Sequence, residues 1–306
     1  MPDGNSASDD QTASTYLDRW GLEPLQPAVR TPSSTLIFVQ RRDGTDAVLK
    51  IFKPASDEAL GATALLHFGP AGAVRVLNHA PDAVLLERLV PGTSLNTLVH
   101  VGGDDEAIEI SCDVIKAIQR PELPSAAFPS IEEWGHGFAW YRESCDSRLP
   151  PPIVAEAKAT FFDLAGSQDL RFLLHGDLHH DNILFDHRLG WRAIDPKGVI
   201  GEASYETGAM LRNPAGHPAI YGNPRVIDRR VSIFVERLAL IGREFSHGTS
   251  SSSSCRRSGS FRTVAIYQRT PFKPSRRSQT SPSSDEPSRL DPHLLAVGDK
   301  AAGLEE

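Results

Sequence analysis

Short apolar blocks separated by polar turns fill the first third of the chain, a pattern that predicts a small sheet. Residues 36–39 and 47–52 are apolar, and Asp43-Gly44 between them is a hairpin turn signal. The other elements predicted here are a helix over residues 56–68, capped by Ser56 and Asp57, and two strands near residues 74–77 and 83–86. A hairpin, a helix and two further strands in this order predict a small sheet with one helix against it.

The middle of the chain, from about residue 93 to residue 240, has the apolar spacing of helices. The predicted helices cover residues 106–118, 131–141 and 153–164, and two short apolar strands, 172–174 and 191–194, interrupt them. The sequence therefore predicts a mainly helical second part, with its densest polar chemistry at and between the two strands.

The two ends of the chain differ in composition from the middle. Residues 1–15 are small and polar and are interpreted as a flexible leader; no basic segment precedes an apolar one, so no signal peptide is predicted. Residues 246–306 contain a run of five serines, and the stretch up to residue 290 has eight basic residues and two acidic ones. We interpret this segment as a disordered or aberrant Ser/Arg/Pro-rich tail, whose composition also suggests the hypothesis of a shifted reading frame.

Composition and charge narrow the function classes. The 306 residues include 32 basic and 39 acidic ones, for a net charge of −7, and 40% of the chain is hydrophobic. An acidic protein lacks the basic field that nucleic acids require, so no nucleic-acid partner is expected, whereas a cationic small molecule is a reasonable ligand. No apolar run approaches the roughly 20 residues of a membrane-spanning helix, so no membrane partner is expected. The three cysteines match no metal or redox motif and are interpreted as reduced thiols in a cytoplasmic protein.

A polar loop follows the apolar strand at residues 172–174 and contains the residues of greatest chemical interest. Asp177 and Asn182 are five positions apart, the spacing that protein kinases use in their catalytic loop. Phosphoryl transfer needs a carboxylate to orient the attacking hydroxyl and accept its proton, and an oxygen ligand to hold magnesium on the phosphates. The spacing therefore predicts Asp177 as the catalytic carboxylate and Asn182 as a metal ligand.

A second acidic residue, Asp195, ends the strand at residues 191–194 and is followed by a Pro/Gly turn. Magnesium prefers hard oxygen ligands, and one carboxylate, one amide and phosphate oxygens suit it, so Asp195 is predicted as the second ligand. An aspartate before such a turn is commonly a turn residue alone. Three histidines near two aspartates could instead form a transition-metal cluster, although no second group of ligands has metal-like spacing.

Two blocks of this region, HGDLHHDNILF at residues 175–185 and GWRAIDPKGVIGE at residues 190–202, resemble the aminoglycoside/hydroxyurea phosphotransferase family, streptomycin 6-kinases in particular. The resemblance continues upstream over residues 31–50 and 57–77. It implies an α+β, protein-kinase-like two-lobed fold, with a small N-terminal antiparallel sheet lobe carrying one helix and a larger, mainly helical C-terminal lobe. The expected lobes cover residues 16–90 and 91–245.

The resemblance also implies residues that bind a nucleotide. Lys50 would hold the phosphates and Glu58 would orient Lys50, although a strand-end lysine and a helix-start acid are common in their own right. Nearby Lys53 is interpreted as a solvated strand end. The remaining nucleotide-binding predictions are a loop at residues 31–35, with contacts from its backbone and from Ser33 or Ser34, and a hinge at which the backbone of Glu87 and Leu89 would bond adenine.

Three acids near the catalytic loop are candidates for binding a cationic substrate: Asp181, Glu202 and Glu206. His175 is predicted to tie its loop by hydrogen bonds as structural support. The roles of His179 and His180 stay open, because one could lie beside magnesium or both could be structural.

The predicted function is an ATP- and Mg²⁺-dependent phosphotransferase that acts on a hydroxyl of a streptomycin-like aminoglycoside or of hydroxyurea and gives resistance by inactivating the drug. Two other classes stay open: a catalytically inactive or truncated kinase-like protein that binds nucleotide, and a metal hydrolase built on the histidines. The sequence does not distinguish ATP from GTP or predict an oligomeric state.

Overall fold

The computed structural model describes residues 4–54, 56, 58–143, 149–214 and 217–239. Its first part is an antiparallel sheet with strand order β1-β3-β4-β6-β5, and β2 pairs with the end of β3. The strands are β1 (Leu22–Pro24), β2 (Val29–Arg30), β3 (Ser34–Arg41), β4 (Asp46–Phe52), β5 (Val76–Ala80) and β6 (Ala83–Glu87), and helix α2 (Glu58–Phe68) follows β4. The hairpin, the helix and the two later strands occur where the apolar pattern predicted them.

The start of the chain departs from the expected flexible leader, because helix α1 covers Gly4–Trp20. Its apolar residues recur at positions 13, 16, 17 and 20, the spacing of one helical face, and Ala13 and Tyr16 are buried against the sheet in contact with the cluster around Leu49. The helix was missed because the segment around these positions is polar. Packing against the sheet buries the few apolar residues of α1, and the composition of the segment did not predict this contact.

The second part combines helices with two small sheets. One sheet has the order β10-β9-β7 and the other pairs β11 with β8, all antiparallel. The strands are β7 (Pro91–Ser94), β8 (Arg171–Leu174), β9 (Ile183–Asp186), β10 (Gly190–Ala193) and β11 (Val199–Glu202). The helices are α3 (Asn96–His100), α4 (Asp104–Ile118), α5 (Ile131–Trp134), α6 (Gly137–Glu143), α7 (Pro151–Gly166), α8 (Gly208–Leu211), α9 (Pro218–Tyr221) and α10 (Pro224–Leu238).

The helix predicted over residues 131–141 is two short helices, α5 and α6, separated at Gly135 and His136. A β-carbon at Gly135 would overlap the rings of Phe161 and Phe162 on α7, so α7 packs against bare backbone at this point. The close packing accounts for a glycine where a continuous helix would favour a side chain.

The main apolar core lies in the second part and joins α4 and α10 to the strands that carry the polar loops. Among the described residues, no helix is long and apolar enough to cross a membrane. The tail predicted for residues 246–306 lies outside the described residues, and the lobe boundaries near residues 90 and 245 stay predictions.

Candidate active site

A cleft of about 610 Å³ separates the sheet from the second part. Its apolar lining comes from Leu36, Phe38, Val48, Val74, Leu86, Leu89, Leu184 and Ile194, and its polar lining from Lys50, Glu87, Arg88 and Asp195. An apolar slot with a few convergent charges suits a flat base attached to a charged group.

Lys50 joins the sheet to both acidic partners at one end of the cleft. It lies within β4, and its Nζ is 2.5 Å from Glu58 Oε2 on α2 and 2.5 Å from Asp195 Oδ1 after β10. Burial disfavours the charge on Lys50, but Asp195 and Glu58 together raise the pKa of the ammonium above its ordinary value. The same pairing acts on Asp195, where burial opposes ionisation but Lys50 and Lys197 hold the pKa of the carboxyl well below its usual range. Lys50 and Asp195 are therefore both charged at neutral pH.

Asp195 has the backbone conformation of a left-handed residue, with φ of 58°. Aspartate tolerates this region better than most residues, and strained conformations of this kind persist where the surroundings fix them. Ile194, the preceding residue, donates its N–H to the carbonyl of Asn182 at 2.9 Å. This bond places Asn182 and Asp195 at the adjoining ends of β9 and β10.

The catalytic loop begins directly after β8. Gly176 has φ of +82°, and a side chain at this position would also collide with Trp134, so only glycine fits the turn. Asn182 donates from Nδ2 to the backbone carbonyl of Asp177 at 2.9 Å, which closes the loop on itself. The structure thus brings together the three residues predicted from spacing: Asp177, Asn182 and Asp195.

His175 is completely buried and bonds to both acidic loops. Its Nδ1 accepts from the N–H of Asp177 at 3.3 Å, so the ring proton is assigned to Nε2, which donates to the carbonyl of Ile194 at 2.8 Å. Its own carbonyl accepts from the N–H groups of Lys197 and Gly198. Burial lowers the pKa of His175 to about 4, so the ring is neutral near pH 7.

Glu206 has a different place from the substrate-binding one predicted for it. Its side chain is buried, and its two oxygens accept from the N–H groups of His175 (2.5 Å) and Gly176 (3.0 Å). Burial raises the pKa of Glu206 to about 7, although both hydrogen bonds favour the ionised form. Because both oxygens are used inside the protein, Glu206 anchors the catalytic loop and is not available to a substrate.

The two other substrate-binding candidates also lie apart from the open cleft. Asp181 accepts a hydrogen bond from Ser94 Oγ on β7 at 3.0 Å, and its side chain is about one-fifth exposed. Glu202 on β11 lies opposite Arg171 on β8 in the strand register. This is the end of β8 away from the catalytic loop, roughly 10 Å along the strand. Asp181 and Asp177 lie on either side of the His179 ring, each with Oδ2 3.9 Å from a ring nitrogen. The role of Asp181 and Glu202 in substrate binding stays a prediction.

The loop predicted to cover the phosphates is a tight turn. The side chain of Ser34 is buried, and Thr31 Oγ1 bonds to it at 3.1 Å, whereas Ser33 is partly exposed. Lys53 is not the solvated strand end that was expected, because its Nζ donates to the carbonyl of Thr31. Lys53 therefore holds this turn against the end of β4.

The predicted hinge lies at the other end of the cleft. Glu87 and Leu89 both line it, but the carboxylate of Glu87 accepts from the N–H of Arg75 at 2.8 Å and faces away from solvent. Val90 donates its N–H to Asp186 at 2.8 Å, which fixes the chain where it passes from β6 to β7.

The histidines of the loop do not gather as ligands. His180 is buried and His179 is partly exposed, with Nε2 3.9 Å from Asp177 Oδ2. Within the ranges that the structure describes, no three His, Cys, Asp or Glu side chains are grouped as a metal ion would require. In this part of the chain the metal-hydrolase hypothesis therefore lacks a site.

A family model described as aminoglycoside/hydroxyurea antibiotic resistance kinase matches residues 19–247, which is most of the chain. The chain belongs to the aminoglycoside/hydroxyurea antibiotic resistance kinase family. A streptomycin 3''-kinase from Klebsiella pneumoniae is 32% identical over 225 residues, covering 72% of this chain and 81% of that protein. A streptomycin 6-kinase from Streptomyces glaucescens is 29% identical over 234 residues, covering 73% and 74%. A hydroxyurea phosphotransferase from Kitasatospora aureofaciens is 29% identical over 204 residues, covering 65% and 59%.

Solved structures establish the fold of this kinase family member. An aminoglycoside-3'-phosphotransferase of type VIII has a TM-score of 0.51 at 14% identity, covering 85% of this chain and 98% of that one. A thermostable mutant of the aminoglycoside phosphotransferase APH(4)-Ia, in a ternary complex with AMP-PNP and hygromycin B, has a TM-score of 0.50 at 16% identity, covering 84% and 98%. The predicted α+β, protein-kinase-like fold is confirmed.

The donor atoms of this kinase site fit magnesium. Because Asn182 Nδ2 donates to Asp177, its amide oxygen is the atom that is turned away and left for a cation. Asp195 contributes a partly buried carboxylate, which has Lys50 as its counter-ion. One amide oxygen and one carboxylate are hard ligands of the kind that Mg²⁺ takes together with phosphate oxygens.

Two basic residues of the site were missed by sequence reasoning. Lys197 Nζ lies 4.0 Å from Glu58 Oε1, so a second lysine approaches the acid that orients Lys50. Arg212 NH2 lies 2.8 Å from Asp177 Oδ1. Lys197 could have been found from its place two residues after Asp195; Arg212 is 35 residues from Asp177, and no local spacing connects them.

Proposed function

We propose that this chain transfers the terminal phosphoryl group of ATP, in the presence of Mg²⁺, to a hydroxyl of a streptomycin-like aminoglycoside or of hydroxyurea. The observation that carries the proposal is the charged group Lys50–Glu58–Asp195 at the end of an apolar cleft, next to the loop that holds Asp177 and Asn182. The names of the relatives, two streptomycin kinases and a hydroxyurea phosphotransferase, support the same reaction class. We also propose a cytoplasmic location, where ATP is supplied.

Each end of the cleft has a separate task in nucleotide binding. The apolar lining between Leu36 and Ile194 would take the base, with backbone groups of Glu87 and Leu89 at its edge. Lys50, oriented by Glu58, would move from Asp195 to the phosphates. Asn182 and Asp195 would hold the metal, which when bound draws charge from the phosphate oxygens.

Asp177 would act on the acceptor. Its carboxylate orients the hydroxyl and takes the proton as the acceptor oxygen bonds to phosphorus and the bond to the ADP oxygen breaks. Arg212 occupies Oδ1 of Asp177, so Oδ2, which His179 Nε2 approaches to 3.9 Å, is the atom that would take the hydroxyl proton. His175 and Glu206 touch neither reactant; they keep the loop in place.

A coupled nucleotide-turnover assay with Mg²⁺, ATP and a panel that includes streptomycin and hydroxyurea tests the proposal. Asp177→Ala is expected to lower turnover by about 10²- to 10⁴-fold, the range typical of a positioned acid–base group. Asp163→Asn on the exposed face of α7 is the matched control and should behave as wild type. Because relatives are named both 3''-kinase and 6-kinase, NMR of the product would show which hydroxyl receives the phosphate.

A measurement of nucleotide binding distinguishes the active kinase from the catalytically inactive alternative. Lys50→Met should weaken ATP binding in calorimetry, whereas Lys158→Met, an exposed lysine on α7, should not. Turnover that needs a panel compound and disappears in Asp177→Ala would establish the kinase. ATP binding without turnover on any acceptor would contradict the proposal and favour a kinase-like nucleotide-binding protein.

A further inference from the structure

Arg212 makes a charged contact with the candidate catalytic carboxylate from outside the recognised motifs. Its NH2 lies 2.8 Å from Asp177 Oδ1, and the two side chains are 22% and 30% exposed. Arg212 directly follows α8, one helical segment after the 3₁₀ turn that holds Glu206. The same short stretch therefore reaches the catalytic loop twice, at its backbone through Glu206 and at its carboxylate through Arg212.

The backbone around Arg212 is fixed by a second, fully buried arginine. Arg230 on α10 donates from NH1 to the carbonyls of Met210 (2.7 Å) and Asn213 (2.6 Å), on either side of Arg212. Its other nitrogens bond to Asp104 at the start of α4. Both carbonyls and the guanidinium are satisfied by this arrangement, so the segment has little freedom to shift.

We propose that Arg212 is the positioning residue that sets the orientation of Asp177, and that Arg230 and Asp104 hold Arg212 in place. The inference rests on the phosphotransferase function proposed above. Arg212 fixes Oδ1 and so directs Oδ2 at the acceptor hydroxyl, whose proton Oδ2 takes as the acceptor oxygen bonds to phosphorus and ADP leaves. On its other side the carboxylate has His179 Nε2 at 3.9 Å from Oδ2, beyond hydrogen-bond distance, so the bond from Arg212 is the direct contact that fixes its rotation. Misplacement of a reacting group by 1 Å can cost about 100-fold in rate.

This arrangement differs from an ordinary surface ion pair. Exposed pairs on flexible side chains contribute little, because both partners must be ordered to form them. Here the loop of Asp177 is already closed by Asn182 and anchored by Glu206. Only the carboxylate rotation remains unset, and Arg212 is the cation bonded to it at 2.8 Å.

Steady-state kinetics on Arg212→Gln and Arg212→Lys, with Arg225→Gln as the matched control, test the role. Arg225 is an exposed arginine at the start of α10. Arg212→Gln is expected to lower kcat by up to about 100-fold while the KM for ATP changes little, since the nucleotide cleft is untouched. Arg212→Lys should recover part of the rate, and Arg225→Gln should match wild type.

Two further measurements distinguish positioning from general structural support. Guanidinium ion added at millimolar concentration should partly restore turnover in Arg212→Ala, an effect that a merely destabilised protein would not show. Urea unfolding of Arg212→Gln, Asp177→Asn and the double variant should show coupling between the two sites. Unchanged kcat in Arg212→Gln, or loss of kcat that neither lysine nor guanidinium recovers, would overturn the inference.

Failure of the proposed function has a different signature. If the wild-type protein turns over no acceptor, the phosphotransferase proposal fails. The unfolding measurements on the two single variants and the double variant still test whether Arg212 and Asp177 interact. Additive effects of the two substitutions would then overturn the Arg212–Asp177 pairing, and coupled effects would support it.

Discussion

His175 connects the two loops that carry the candidate catalytic and metal-binding residues. One ring nitrogen bonds to the backbone of Asp177 and the other to the residue before Asp195. The bond to Asp177 requires the neutral ring, because a protonated Nδ1 could not accept from the N–H of Asp177. The protonation state of one side chain thus affects the geometry of both loops.

Acid should therefore destabilise the protein through His175. Its pKa is about 4 when folded against an ordinary 6.5, so the folded state binds fewer protons than the unfolded state between these values. Stability is then lost as pH falls from about 6.5 to about 4, by a total on the order of 3 kcal/mol. Urea unfolding of His175→Gln across pH 4.5–8 should show a smaller acid loss than wild type; parallel curves would contradict the assignment.

Glu206 contributes the opposite slope over an overlapping range. Its pKa is raised to about 7 in the folded state, so this residue favours stability at low pH, and that contribution is lost as pH rises from about 4.5 to about 7. The two slopes partly cancel in the wild-type protein. In His175→Gln the Glu206 slope remains, so that variant should gain stability at pH 5 relative to pH 8 when compared with wild type.

The residues predicted from the sequence are those whose chemistry depends on local spacing. Asp177 and Asn182 are five positions apart, and Asp195 ends an apolar strand, so each was predicted from its immediate neighbours, and the structure places the three close together. Glu206 was assigned to the substrate because an acid near a cationic ligand's site is expected on the surface. Its burial depends on the 3₁₀ turn at residues 203–207 reaching the backbone of His175 and Gly176, about 30 residues away in sequence, and no local pattern predicts that contact.

At the scale of elements, helix α2 packs without a gap against the loop that follows β10. A β-carbon on Gly61 would overlap the carbonyl oxygen of Pro196. The close approach brings Glu58 on the same helix within reach of both Lys50 and Lys197. Helix α2 can therefore lie this close to the loop because residue 61 has no side chain.

Gly61→Ala is expected to push α2 away from this loop. The obstacle is backbone, which cannot rotate aside, so we expect a loss of about 1–3 kcal/mol in unfolding free energy and weaker ATP binding as Glu58 leaves Lys50. Gly166→Ala at the end of α7 is the matched control, since a methyl group there meets nothing within 4 Å. Equal stability of both variants would show that α2 is free to move.

The elements predicted from the sequence were those with a continuous apolar pattern. The β3–β4 hairpin and α4 follow from period and length, whereas α1 was missed because its buried face has only a few apolar residues. The break between α5 and α6 was missed for a related reason: it depends on the rings of α7, which are distant in sequence. Local pattern predicts an element, and tertiary contacts decide where it ends.

At the scale of the molecule, three ion pairs connect α10 to α4: Arg229–Asp105, Arg230–Asp104 and Arg237–Asp113. The three differ in burial. The side chain of Arg230 is fully buried, whereas those of Arg229 and Arg237 are 69% and 38% exposed. Burial should decide how much each pair contributes.

Arg230→Met should cost about 3–5 kcal/mol of unfolding free energy, because it leaves Asp104 and two carbonyls without their partner. Arg237→Gln should cost at most about 1 kcal/mol, since its pair with Asp113 is exposed. Thermal and urea unfolding of the two variants check the difference. A loss for Arg230→Met as small as that for Arg237→Gln would mean that water replaces the buried contacts.

The contact between Arg230 and Asp104 can form only late in synthesis of the chain. The two residues are 126 positions apart, and a ribosome adding about 5–20 residues per second joins them roughly 6 to 25 seconds apart. Once residue 202 is joined, the nascent chain contains each motif that identifies a kinase, but it still lacks the helix that holds the segment of Arg212 in place. A product released between residue 202 and the end of α10 would be recognisable by its motifs, but its candidate catalytic carboxylate would lack the support that Arg230 gives to the segment of Arg212.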